Sequence, residues 1–174
     1  MSVDVTNEKR FEDDITASFL SPAGGYTHND DVYDSNLGLF PDTLIRFIQK
    51  TQPNEWRRFE LQNSGDTTRK FCLSFNNACD TYGLLDVLRH GFKHRGISFR
   101  VCYFKPESGL NQTAAALYQK NEITCNRQWF YSTTSHNSVD MMIAINGIPV
   151  FAFELKNQYT GQTVDNAKRQ WMYD

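Results

Sequence analysis

The chain has 174 residues, of which 40% are hydrophobic and 14% aromatic, a composition typical of a packed globular protein rather than a disordered one. Its formal net charge is −2, so no overall positive field draws it to nucleic acid, and any DNA contact must be local or shared with a partner. The cysteines form no C-x-x-C pair, which excludes a zinc ribbon and a thioredoxin-type motif.

The first two thirds of the chain predict a series of helices. Thr6 is a candidate N-cap, and Phe11, Ile15 and Phe19 follow at the spacing of one helical face. Pro41 is expected to begin a second helix, because proline fits the first turn, where a backbone N–H has no helical partner. Further helices are predicted over 52–65, in parts of 67–95 and over 108–121.

Apolar runs predict strands over 95–106, 126–133 and, most clearly, in a hairpin over 139–156. Asn146-Gly147 between two such runs is a strong hairpin signal. The stretch VFAF shows no alternation, which predicts a strand covered on both faces. Thr163 is predicted to cap a last helix, and we expect the chain to be the N-terminal part of a longer protein.

The hairpin carries three charged residues that could form a site. Glu154 and Lys156 share a face of the second strand, and Asp140 opens the first strand, 14 positions before Glu154. A two-residue turn would place Asp140 opposite Phe153, whereas a three-residue loop with a glycine bulge would place it opposite Glu154. Pro149 donates no ladder bond, which favours a widened turn. A catalytic interpretation therefore predicts an odd-length loop.

In that register the two carboxylates suit a magnesium site. Asp140, Glu154 and the carbonyl of Leu155, with waters, would give the ion the oxygen ligands it prefers. The metal would lower the pKa of a bound water and stabilise a pentavalent phosphate, while Lys156 orients the water or neutralises charge. An ordinary ion pair at a strand end is the alternative. It is favoured for E-x-K alone, and the added aspartate makes the two interpretations about equally favoured.

Segments along nearly the whole chain resemble one family. FEDDITASFL, TQPNEW, LLDVLRHG, SGLN, NGIPVFAFELKN and TGQTVDNAKRQ are similar to the N-terminal nuclease region of the restriction subunit of type I restriction–modification enzymes. The resemblance implies a PD-(D/E)xK fold of the restriction-endonuclease type: an α/β domain over 1–174, with a mixed sheet flanked by helices and additional N-terminal helices. It also implies Mg²⁺-dependent cleavage of double-stranded DNA, in a cytoplasmic complex with modification and specificity subunits. ATP would be used by a motor domain outside this chain.

The resemblance also assigns roles to individual residues. Asp140 and Glu154 would hold the metal, Lys156 would assist the water, and Gln170 matches the glutamine of the family's Q-x-x-x-Y motif. Here the fifth position of that motif is aspartate, and the tyrosine stands one residue earlier, at Tyr173, on a neighbouring helix face.

Two further features have open interpretations. Glu12 falls where this superfamily often has a supporting acid, although a solvated first-turn acid is about as well favoured. The basic run over 89–100 includes Arg89, Lys93 and Arg95, which are possible DNA phosphate contacts; a solvated basic surface is the commoner explanation. No third ligand accompanies the two histidines of that run, so zinc is not predicted.

Two other functions remain open. One is a non-catalytic docking module with the same fold, in which the charged triplet is a structural ion pair. The other is a repair exonuclease or junction resolvase of the same fold. The chain opens on a polar segment and has no apolar run of the roughly 18 residues that a transmembrane helix needs, so no membrane association is expected.

Overall fold

The computed structural model describes residues 3–131 and 138–155, together with positions 168 and 172. For residues 3–8 it describes the backbone alone. The predictions for Lys156, Gln170, Tyr173 and Asp174, and for a helix capped by Thr163, lie outside the described residues.

The described residues form an α/β protein, which confirms the predicted class. The helices are α1 (Val3–Leu20), α2 (Pro41–Thr51), α3 (Pro53–Gln62), α4 (Thr67–Tyr82), α5 (Leu84–His90) and α6 (Gln112–Tyr118). The strands are β1 (Phe92–His94), β2 (Ile97–Phe99), β3 (Ile123–Phe130), β4 (Ser138–Ile145) and β5 (Ile148–Phe153). Among the described residues, no helix has the length and apolar character that crossing a bilayer requires.

The chain divides into two compact units. The first unit takes Met1–Asn29, Ile123–Ala144 and Pro149–Asp174, and therefore holds α1, β3 and most of the β4–β5 hairpin. The second unit takes Asp30–Glu122 together with Ile145–Ile148. It holds α2 to α6, the β1–β2 pair and the turn of the hairpin.

The second unit has an aromatic core. Phe59 of α3 and Phe71 of α4 are fully buried, and their ring centroids lie 5.4 Å apart in an edge-to-face arrangement. Phe99 of β2 packs edge-to-face on Phe71 at 4.9 Å. The helix predicted to begin at Pro41 does so, and its buried face includes Leu44 and Ile48, four residues apart. These rings join α3 and α4 to the β1–β2 hairpin.

In the first unit, helix α1 begins before its predicted cap. Thr6 lies inside α1, so its assignment as N-cap was wrong. Phe11 is 47% exposed, whereas Phe19 packs against Tyr26 with ring centroids 4.8 Å apart. The apolar face of α1 is therefore covered towards its C-terminal end.

The three strands of the larger sheet run in the order β3-β4-β5, so β4 is central. Its residues Met141 to Ala144 are all buried, which means that both faces of β4 are covered. Coverage on both faces was predicted instead for the VFAF stretch of β5. That prediction was wrong, because Phe151 is 64% exposed. The predicted strand over 95–106 was also too long, because only Ile97–Phe99 is paired.

Candidate active site

The turn of the β4–β5 hairpin is a tight one. Strand β4 ends at Ile145 and β5 begins at Ile148, with Asn146 at φ 52° and Gly147 at φ 81° between them. Positive φ at both residues is the pattern of a type I′ turn, whose twist matches that of the flanking strands. The predicted odd-length loop was therefore wrong. Pro149 is compatible with this turn, because the second residue of the returning strand points its nitrogen away from its partner.

Hydrogen bonds fix this turn within the second unit. The Asn146 side chain is fully buried; its Oδ1 accepts from the Glu122 N–H and its Nδ2 donates to the Val101 carbonyl, both at 2.8 Å. The Phe40 N–H donates to the Gly147 carbonyl at 2.9 Å. A Cβ atom on Gly147 would stand 2.6 Å from the Phe40 carbonyl oxygen, so only glycine fits there.

At the other end of the hairpin, a hydrogen bond joins Asp140 to the backbone that follows Glu154. The Oδ2 atom of Asp140 accepts from the backbone N–H of Leu155 at 2.6 Å, and Asp140 and Glu154 are both half-buried. In the register of a two-residue turn, Asp140 would face Phe153 rather than Glu154. Strand β5 ends at Phe153, and the N–H of the peptide that joins Glu154 to Leu155 points towards the Asp140 carboxylate. The end of the strand, rather than the turn, places Asp140 beside the peptide between Glu154 and Leu155.

This donor set fits magnesium better than a closed metal site. In the part of the chain that the structure describes, no group of three or more His, Cys, Asp or Glu side chains is positioned to hold a metal ion. Magnesium commonly binds through one or two carboxylates and keeps several waters, so two carboxylates such as Asp140 and Glu154 would suffice as its protein ligands. A structural zinc site would need four protein ligands.

Glu12 takes part in an ion pair with a residue that the sequence analysis missed. Its Oε2 lies 2.8 Å from Nη2 of Arg127 on β3, and Asp13 pairs with the same guanidinium. The Glu12 side chain is only 12% exposed, and Glu12 lies in the middle of α1. The alternative interpretation of Glu12 as a solvated first-turn acid was therefore wrong. The hydrogen bonds that Arg127 donates, first to Glu12 and then to Asp13, raise the pKa of its guanidinium. The signal in the sequence that could have revealed this ion pair was an arginine within a predicted strand rich in aromatic residues, NRQWFY.

The basic run lies in the second unit and is divided among three elements. Arg89 lies in the last turn of α5, Lys93 lies in β1, and Arg95 begins the turn between β1 and β2; all three are exposed. The two histidines of the run have separate partners. His90 pairs with Asp86 at 2.8 Å, and Nδ1 of His94 lies 2.9 Å from the Ser74 hydroxyl.

Comparison with known proteins gives one match. The sequence model of a family described as the type I restriction enzyme R protein N terminus matches residues 51–173 of the 174. The searches of curated proteins and of solved structures found no match. The matched span covers α3 to β5 and both predicted carboxylate ligands. The resemblance stated from the sequence is thereby confirmed: the chain belongs to the family of the N-terminal region of the type I restriction enzyme R subunit.

Proposed function

We propose that this chain is the Mg²⁺-dependent endonuclease domain of a type I restriction–modification complex, and that it hydrolyses double-stranded DNA. The observation that carries the proposal is the Asp140 carboxylate, held against the peptide that joins Glu154 to Leu155. A nuclease of this kind needs two hard oxygen ligands at fixed positions, and Asp140 and Glu154 at the end of the β4–β5 hairpin would supply them.

The chain's own residues would act mainly by holding ligands and orienting water. Asp140 and Glu154, with the carbonyl of Leu155, would hold the ion, which when bound lowers the pKa of a water and neutralises phosphate charge. The Leu155 N–H fixes one oxygen of Asp140, so the carboxylate is oriented before metal or substrate arrives. Lys156 would orient the nucleophilic water, and Gln170 would steady the arrangement.

Glu12 would support the site indirectly. Its carboxylate is paired with Arg127, so its charge is already compensated within the first unit. Because Arg127 belongs to β3, the strand next to β4, the ion pair would hold the strand that neighbours the one bearing Asp140. We therefore propose Glu12 as a positioning residue rather than a metal ligand.

The partners proposed for this domain follow from the family. Modification and specificity subunits would recognise the DNA sequence, and ATP would be used by a motor domain of the same subunit, outside this chain. Arg89, Lys93 and Arg95 are proposed to contact DNA phosphates. Because the net charge is −2, we expect the isolated chain to bind DNA weakly.

A docking module is the second candidate function. The observation that favours it is that Asp140 already accepts a strong hydrogen bond from its own chain, as a structural carboxylate would. A measurement of metal binding distinguishes the two candidate functions, because a docking module does not require a metal ion at this position.

The deciding experiment is a calorimetric Mn²⁺ titration of the parent chain and of Asp140→Asn. The amide keeps the size of the carboxylate and can still accept from Leu155, so only the charge is lost. We expect one site in the parent and at least a tenfold weaker site in the variant, since a charged ligand has become neutral. Asp86→Asn, at an exposed carboxylate in the second unit, is the matched control. A parent that binds no Mn²⁺ at millimolar concentration would favour the docking module.

A further inference from the structure

The second unit contains a polar cavity of about 420 Å³ between the α3–α4 corner and the β1–β2 hairpin. Its cationic groups are Lys70 and Arg95, and the amides of Gln62 and Asn77 also line it. Among the described residues, no carboxylate belongs to its lining. The volume lies within the range of small-ligand sites, so the cavity can hold more than solvent.

One wall of the cavity is neutral and fixed. The Ser74 hydroxyl lies 2.9 Å from the Lys70 carbonyl oxygen and 2.9 Å from Nδ1 of His94, so it links helix α4 to the histidine ring. Burial, and then the neighbouring Arg95, lower the pKa of His94, so its ring is neutral near pH 7, and it packs edge-to-face on Phe59 with ring centroids 4.8 Å apart. The positive charge of the cavity therefore comes from Lys70 and Arg95. The Lys70 ammonium is held beside the cavity by the Ser64 carbonyl.

The backbone at Arg95 shows that its side chain matters. Arg95 has φ 44° and Gly96 has φ 81°, nearly the angles of Asn146 and Gly147 in the other two-residue turn. Asparagine suits the first of these positions, whereas an arginine in the left-handed conformation is strained. This chain has the favoured pair in one turn and a strained arginine in the other. Strain retained at an exposed position indicates a function for the side chain.

We propose that this cavity binds a phosphate group, with the Arg95 guanidinium and the Lys70 ammonium contacting its oxygens. Arginine matches the geometry of phosphate with two parallel hydrogen bonds, and lysine adds a point charge. The amides of Gln62 and Asn77 supply further donors. The phosphate can come from the DNA backbone or from a free nucleotide. DNA as the source rests on the proposed function; the phosphate chemistry does not.

The test uses the whole chain in EDTA, so that no result depends on the metal ligands. Binding of a short labelled DNA duplex is followed by fluorescence anisotropy over a range of salt concentrations, and binding of inorganic pyrophosphate by calorimetry. The variants are Arg95→Asn and Lys70→Gln. Asparagine relieves the strain at position 95, so that variant should unfold at the same or a higher urea concentration while its binding falls. Lys105→Gln, which removes an exposed charge outside the cavity, is the control.

If DNA supplies the phosphate, each variant should weaken duplex binding about three- to tenfold and lower the slope of log K against log salt by about 1, because one phosphate contact is lost. If free nucleotides supply it, both variants lose pyrophosphate binding and keep duplex binding. Either result supports the phosphate site. A parent chain that binds neither probe, or variants that bind both as the parent does, would overturn it. The Mn²⁺ titration reports separately on the proposed nuclease site.

Discussion

Asn146 should be the most sensitive polar position in the β4–β5 turn. Its side chain accepts from the Glu122 N–H at 2.8 Å and donates to the Val101 and Asn121 oxygens at 2.8 and 3.0 Å. Alanine would remove the Asn146 partner of the Glu122 N–H and of the Val101 carbonyl beside a fully buried position, whereas the Asn121 oxygen would still accept from the Tyr103 N–H. Each such group costs about 1–3 kcal/mol, and non-Gly left-handed backbone adds roughly 1 kcal/mol. We expect Asn146→Ala to lower the free energy of unfolding by about 4 kcal/mol, a large fraction of ordinary domain stability.

Urea unfolding followed by far-UV circular dichroism measures this loss, and a second variant divides it into its causes. Asn146→Gly removes the same hydrogen bonds but adopts φ 52° without strain. It should be more stable than the alanine variant by about 1 kcal/mol and still well below the parent. A glycine variant as stable as the parent would refute the hydrogen-bond argument. An alanine variant that loses less than about 1 kcal/mol would refute the whole estimate.

Three other changes test the remaining structure. Burial, and then the neighbouring Arg95, lower the pKa of His94, whose Nε2 is buried without a partner, so the unfolded chain takes up its proton first. Stability should therefore fall as pH drops through the unfolded pKa of 6.5, and a series of urea titrations over pH should show a smaller fall in His94→Gln; an equal fall in the variant would contradict this assignment. Arg127→Met should lower the free energy of unfolding by about 2–4 kcal/mol in urea titrations by leaving Glu12 unpaired; if adding Glu12→Gln recovers nothing, the ion pair is not the cause. Gly91→Ala would place a Cβ atom 2.0 Å from a backbone carbonyl oxygen at φ 75°, so its melting temperature should fall by several degrees; an unchanged value would contradict that packing.

Local signals predicted the helices well and the sheet less well. Proline at a first turn marked the start of α2, and the Asn-Gly pair marked the hairpin, because both act within a few residues. Which apolar strand is covered on both faces depends on the order of strands in the sheet. An unalternating run such as VFAF cannot reveal that order, and the central strand proved to be β4.

The geometry at the candidate site differs from the geometry that the sequence predicted. Asp140 and Glu154 were named from their spacing, yet the predicted loop length was wrong, because the hydrogen bond from Leu155 forms after the strand has ended. The pairing of Glu12 with Arg127 joins residues 115 positions apart. Such a contact leaves no local pattern, so a single sequence could not predict it.

The hydrogen bond from Leu155 to Asp140 has a consequence for which sequences can occupy the middle of the E-x-K triplet. Leu155 contributes to the site through its backbone N–H, which every amino acid except proline possesses. Its side chain is only half-buried, so packing restricts it weakly. Chains that share this arrangement should therefore vary freely at the middle position, exclude proline there, and retain the aspartate whose oxygen the amide holds.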